Sequence, residues 1–158
     1  IASSLSALIN LGLSLIVVII FALLNGITPS VTWLLIIPLT IELYAFSLGI
    51  SFFLGAAYVK FRDITYIWEI VLQAGFYASA IIFPLTLVPD HLQKWFFLNP
   101  IVQIVQDARY AIATDTTITI WSTINSWAVL IPFLIVIATV IIGGLYFKKR
   151  SRYFAEDI

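Results

Sequence analysis

A chain of 158 residues that is 62% hydrophobic and 10% charged, with a mean hydropathy of +1.09, departs from the roughly half-apolar, quarter-charged balance of a water-soluble domain. Eight Lys and Arg against eight Asp and Glu leave no net charge, which excludes the basic footprint of a nucleic-acid binder. The lack of cysteine and the single histidine, His91, exclude disulfides, thiol nucleophiles and the Cys/His sets that hold zinc.

The sequence begins at Ile1 and holds no methionine, so further chain is expected upstream. A bilayer core takes about 20 apolar residues per helical crossing. The first such window is Leu5 to Leu24, interrupted only by Ser6, Asn10 and Ser14 and closed by Asn25-Gly26, with Pro29 following. It has no positively charged start and no small-residue cleavage site, which makes it a span rather than a signal peptide. The second runs from Trp33 to about Tyr58, uncharged except for Glu42, and meets the polar stretch Lys60-Phe61-Arg62-Asp63. The third starts near Ile64, carries Glu69 and Gln73 early, and continues through Phe76-Tyr77 to Pro84.

From Pro89 the pattern changes. Asp90, His91, Gln93 and Lys94 alternate with Leu92, Trp95, Phe96 and Phe97, and Asn99-Pro100 punctuates the chain. Beyond it, Ile101, Ile104, Val105, Ala108 and Ile112 share one helical face, and Gln103, Gln106, Asp107 and Tyr110 share the other. Pro89 to about Ala113 is therefore expected to be two short helices forming a re-entrant or interfacial hairpin at one membrane face. The fourth span runs from Trp127 to Phe147 and is followed at once by Lys148, Lys149, Arg150 and Arg152. Positive charge favours the cytoplasmic side, and two further crossings separate this cluster from the Lys60/Arg62 loop, so both signals agree. The expected architecture is all-α: a polytopic helical membrane protein with four transmembrane helices plus the hairpin, both ends cytoplasmic, forming a single domain over residues 1–158.

The string Phe61-Arg62-Asp63-Ile64, Leu72-Gln73, Phe76-Tyr77-Ala78-Ser79, Phe83-Pro84, Leu98-Asn99-Pro100 and Arg109 resembles the permeases of type 2 ABC exporters. The closer likeness is to the polysaccharide branch, which exports O-antigens, capsules and teichoic acids. Such permeases have six crossings, and this chain resembles the last four. The resemblance implies a bacterial cytoplasmic-membrane subunit that pairs with a second copy and with two ATPase subunits to move a lipid-linked glycan. ATP and Mg would then reside in the partner, since the chain contains no G-x-x-x-x-G-K-[ST] string, and the chain itself would be no enzyme. Exporters of a drug or another lipid share the same outline. An ion-coupled carrier using Glu42 is a reading from a different class, as is a membrane enzyme built on Asp90, His91 and Asp107.

Several residues carry these expectations. Lys60, Arg62 and Asp63 are candidates for contact with the ATPase, with topology anchoring and an Asp63 helix cap as the plainer roles. Glu42 is either pathway-lining or a hydrogen-bonded structural acid, because a carboxylate inside a span is costly. Glu69 and Gln73 stand one turn apart near an entrance or facing a neighbour. Tyr44, Phe52, Tyr66, Phe76 and Tyr77 offer flat rings for sugar faces, although aromatic side chains also serve as membrane-interface anchors and lipid-facing filling. Trp95, Asn99, Pro100, Asp107 and Arg109 form the polar and anchoring framework of the hairpin, with Arg109 also a candidate contact for an anionic substrate. The Lys148 to Arg152 cluster is suited to anionic lipid head groups, and Glu156-Asp157 to the ATPase.

Overall fold

The computed structural model describes residues 2–113 and 117–151, and the elements among them are all helical. They are α1 (Ala2–Leu24), α2 (Ile36–Lys60), α3 (Ile64–Ala78), α4 (Asp90–Phe96), α5 (Pro100–Ile112), α6 (Ile120–Thr123) and α7 (Ile131–Arg150), with 3-10 turns at Val31–Leu35, Leu85–Leu87 and Trp127–Leu130. Arg152, Glu156 and Asp157 lie outside the described residues, as does the side chain of Lys60.

Three helical stretches among the described residues are long and apolar enough to cross a membrane: Leu5–Leu24, Val31–Val59 and Trp127–Arg150. Their large apolar side chains stand open on the surface, Phe21, Ile41 and Leu145 among them, as a lipid solvent allows. The expected third crossing, Ile64 to Pro84, is helical only to Ala78. Fifteen residues at about 1.5 Å each give about 22 Å, short of a bilayer core of about 30 Å. The physical reason lies just beyond the helix, where Ala80 takes φ 49° and turns the chain aside.

Helix α1 ends where Gly26 adopts φ 77° and the Asn25 side-chain amide donates to the Phe21 carbonyl at 2.8 Å. It returns alongside α2, leaving a groove of about 310 Å³ lined by Leu8, Leu11, Leu43 and Tyr44. The main helix pair is instead α2 with α7. At its crossing the backbones touch: a Cβ on Gly49 would stand 2.7 Å from the Thr139 carbonyl carbon, and one on Gly143 would overlap the Gly49 oxygen. Small residues permit this approach, and dispersion contacts then replace the hydrophobic drive that lipid does not supply. Phe52 meets Phe147 at 5.6 Å between ring centroids and Phe53 meets Tyr146 at 5.2 Å, so α2 and α7 run parallel. The Lys60-to-Asp63 turn and the Lys148-Lys149-Arg150 terminus of α7 therefore leave at the same end of the pair.

The opposite end carries a cap with its own core. Ala80, Leu85, Phe97, Val102, Ile120, Ile124 and Val129 are buried together, with Phe83 and Phe96 packed against them. Helices α4 and α5 occupy the stretch expected to form a hairpin. The α5 start is set by Asn99, whose side-chain oxygen accepts from the Ile101 amide at 3.0 Å, and by Pro100 at the first helical position. Asn99→Ala is expected to cost about 1 kcal/mol, read as a lower unfolding midpoint of the purified protein. The cap is tied to the long helices where the Thr32 hydroxyl donates to the Ala111 carbonyl at 2.9 Å.

Candidate functional site

At the basic end, Arg62 and Asp63 are exposed on the short turn between α2 and α3. Asp63 occupies the N-cap position of α3 but in a helical conformation, φ −73° and ψ −8°, and its side chain makes no capping hydrogen bond. The expected Asp63 cap is thus corrected: an N-cap side chain reaches the second or third amide from an extended backbone, which Asp63 does not have. The turn leaves both charged groups open to a partner surface.

Helix α3 has no buried residue. Tyr66, Glu69, Gln73, Phe76 and Tyr77 are all exposed along it, Phe76 and Tyr77 in edge-to-face contact at 5.8 Å. Near the basic turn it meets α2, where Ile64, Ile67 and Trp68 face Ile50, Phe53 and Leu54. Of the other rings named from the sequence, Phe52 is engaged by Phe147 and Tyr44 lines the groove between α1 and α2.

The third group sits between α2, α5 and α7 at the cap end. The sequence places Gln103, Gln106 and Asp107 on the polar face of an interfacial helix. The structure turns that face inward: Gln103 is 0% exposed, Gln106 2% and Asp107 8%. The periodicity was real, but polar side chains facing a protein-lined cleft leave the same pattern as ones facing water. Gln103 Nε2 donates to Asp107 Oδ2 at 2.8 Å, an i, i+4 pair on α5. Burial pushes the Asp107 carboxyl above its usual range, opposed by the Gln103 bond and by the Ile120 backbone amide. Glu42 of α2 faces this pair across a cleft of about 380 Å³ that is otherwise walled by Tyr110, Thr119, Trp121 and apolar side chains. Glu42 and Asp107 were named separately from the sequence, and the fold brings them together. Gln103 was not singled out, and its spacing to Asp107 was the available signal.

Arg109, half-buried on α5, has another partner set. Its guanidinium donates to the carbonyls of Ala80 at 3.3 Å and Phe83 at 3.4 Å, and closely to that of Ile81. These carbonyls lie in the turn that follows α3, so Arg109 holds the segment leading out of that helix. Nearby, the Asn99 side-chain amide donates to the Ser79 hydroxyl at 3.4 Å, and Pro100 is buried. Trp95 is 70% exposed on α4, on the outer surface of the cap.

Among the described residues no group of three or more His, Cys, Asp and Glu is arranged to hold a metal ion. No protein-family model matches the chain, and no solved structure matches it either. It is similar to two curated proteins of Klebsiella pneumoniae, each an O-antigen export system permease protein RfbA, at 24% identity over 141 residues in both cases. The matched region is 89% of this chain and 52% of each relative, so the chain spans about half the length of the curated relatives it matches. This agrees with the resemblance to polysaccharide-export permeases carried by Phe61 to Arg109, and with a multi-pass helical membrane protein.

Proposed function

We propose that this chain is part of the transmembrane subunit of an ATP-driven exporter for a lipid-linked polysaccharide in the bacterial cytoplasmic membrane. The observation that carries the reading is the similarity to O-antigen export permeases along 89% of the chain. The parallel α2–α7 pair supports it, because it sends the Lys60–Asp63 turn and the Lys148–Arg150 terminus out at one end, as a single cytoplasmic face requires. In this reading α3 is the remaining crossing, completed by the Ser79 to Pro84 segment, which gives four crossings with both ends cytoplasmic. The exposed apolar and aromatic length of α3 then faces a second copy of the permease, the pathway between the copies, or lipid.

Two ATPase subunits bind ATP and Mg and dock on the cytoplasmic face, with Arg62 and Asp63 in contact. Nucleotide moves the permease only if it favours one arrangement of the helices over another, so the turn must transmit a difference in affinity rather than simple attachment. Tyr66, Glu69, Gln73, Phe76 and Tyr77 offer the passing glycan ring faces and hydrogen-bonding groups along α3.

The full-length permease, co-purified with its ATPase in lipid nanodiscs, tests this. Lipid-linked glycan is expected to stimulate ATP hydrolysis, and the double variant Arg62→Ala/Asp63→Ala to lose about tenfold of that stimulation while still assembling in the membrane. An exporter of a drug or another lipid would respond to those compounds and not to glycan. Transport that proceeds without any ATPase would sink the reading and favour an ion-coupled carrier using Glu42.

A further inference from the structure

The cleft between α2, α5 and α7 has a chemical asymmetry that the exporter reading does not use. Three of its buried oxygens have no hydrogen-bond partner: Glu42 Oε1, Gln103 Oε1 and Asp107 Oδ1. All three are acceptors, and they line one cavity of about 380 Å³. Gln103 is completely buried, and its amide nitrogen is committed to Asp107 Oδ2 at 2.8 Å, so its free carbonyl oxygen is held in place rather than interchangeable with the nitrogen. Among the described residues no Lys, Arg or His lines the cleft, and its remaining walls are mostly apolar. Burying an acceptor without a donor costs about 1–3 kcal/mol, and more for a charged group. Two carboxyl groups and an amide oxygen, with nothing basic to answer them, therefore ask for an occupant that brings positive charge.

We infer that this cleft binds a hard divalent cation of the calcium–magnesium class, held by Glu42, Asp107 and the Gln103 carbonyl. The donor set is all oxygen, which suits hard cations and not zinc or copper. Two carboxylates match a double positive charge. The cavity is wide enough for the ion to keep several waters, as both cations do when few protein ligands are offered. Tyr110 and Thr119 line the same cleft. An ion here would join α2, one of the long helices, to α5 of the cap, in addition to the Thr32-to-Ala111 hydrogen bond. The site is independent of what the chain transports.

The probe is Tb3+, a luminescent substitute for calcium, added to the full-length permease in non-ionic detergent without ATPase or nucleotide. Trp121 and Tyr110 line the cleft, so an ion bound there is excited by energy transfer from their rings. The expected result is a saturable emission that Ca2+ or Mg2+ displaces. Affinity should fall at least about tenfold in Glu42→Gln and in Asp107→Asn but stay unchanged in Glu69→Gln, whose acid lies on exposed α3. Trp121 is 65% exposed, so Trp121→Leu spares the core; it should dim the emission without weakening binding. That variant keeps the test decisive if an acid variant fails to fold. Emission that never saturates, survives both acid substitutions, or is as bright without Trp121 would overturn the inference and leave the carboxyl groups neutralised by protons alone. Glycan-stimulated ATP hydrolysis is read separately, so failure here is distinct from failure of the exporter reading.

Discussion

Gly143→Ala is expected to force α2 and α7 apart, while the same substitution one residue later, Gly144→Ala, is expected to be neutral or mildly stabilising. A methyl group on Gly143 overlaps the backbone oxygen of Gly49, whereas one on Gly144 meets nothing within 4 Å. Backbone cannot rotate aside as a side chain can, so the helices must separate and the Phe52–Phe147 and Phe53–Tyr146 contacts loosen with them. Overpacking of this kind costs about 3 kcal/mol at its upper end, against a gain of about 1 kcal/mol from replacing a helical glycine. The net loss of about 2 kcal/mol should appear as a lower midpoint in thermal or denaturant unfolding of the full-length protein in detergent. Gly49→Ala should act in the same direction, and the double variant should cost less than the sum because both methyls open one contact. Equal behaviour of the Gly143 and Gly144 variants would show that the crossing is not packed in this way.

The second large effect is expected at Arg109. Its guanidinium serves the carbonyls of Ala80, Ile81 and Phe83 at once, and hydrogen bonds to a charged donor contribute about 1.5–3 kcal/mol each before overlap is allowed for. Arg109→Gln should therefore cost about 3 kcal/mol or more and release the segment between α3 and α4. Arg109→Lys keeps the charge but loses the planar fork that reaches several acceptors, so an intermediate loss is expected. Hydrogen exchange of the amides in residues 79–88 measures this directly. If Arg109 instead served the substrate alone, those amides would stay protected in Arg109→Gln and only glycan stimulation would fall.

The long helices were legible because length and apolarity suffice to specify them. Leu5 to Leu24, Trp33 to Tyr58 and Trp127 to Phe147 agree with α1, α2 and α7 to within a few residues. What composition does not carry is where a chain turns without a glycine or proline at the turn. The apolar run from Ile64 continues smoothly past Ala78, and only the φ of Ala80 and the reach of Arg109 end the helix there. Asn99-Pro100 was a local signal and was readable, since cap and helix are neighbours in the chain. The partnership of Glu42 with Gln103 and Asp107 joins distant segments, and a single sequence holds no trace of that distance being closed. For the same reason the inward turn of the α5 polar face could not be told from an outward one. Asp63 had the right residue type at the right position, and the backbone conformation decided against the cap.

The pairing of α2 with α7 also fixes an order of events during synthesis. The two partners lie at residues 36–60 and 131–150, so α2 enters the bilayer long before the helix it packs against has left the ribosome. Until then the Gly49 surface has no mate, and the polar cleft around Glu42 lacks both α5 and α7 to enclose it. A nascent chain halted before α5 would thus carry an uncovered Glu42 carboxyl group within α2, the sort of defect that membrane quality control detects. Arrival of α5 begins to cover the cleft, and arrival of α7 closes the Gly49 surface and completes the wall.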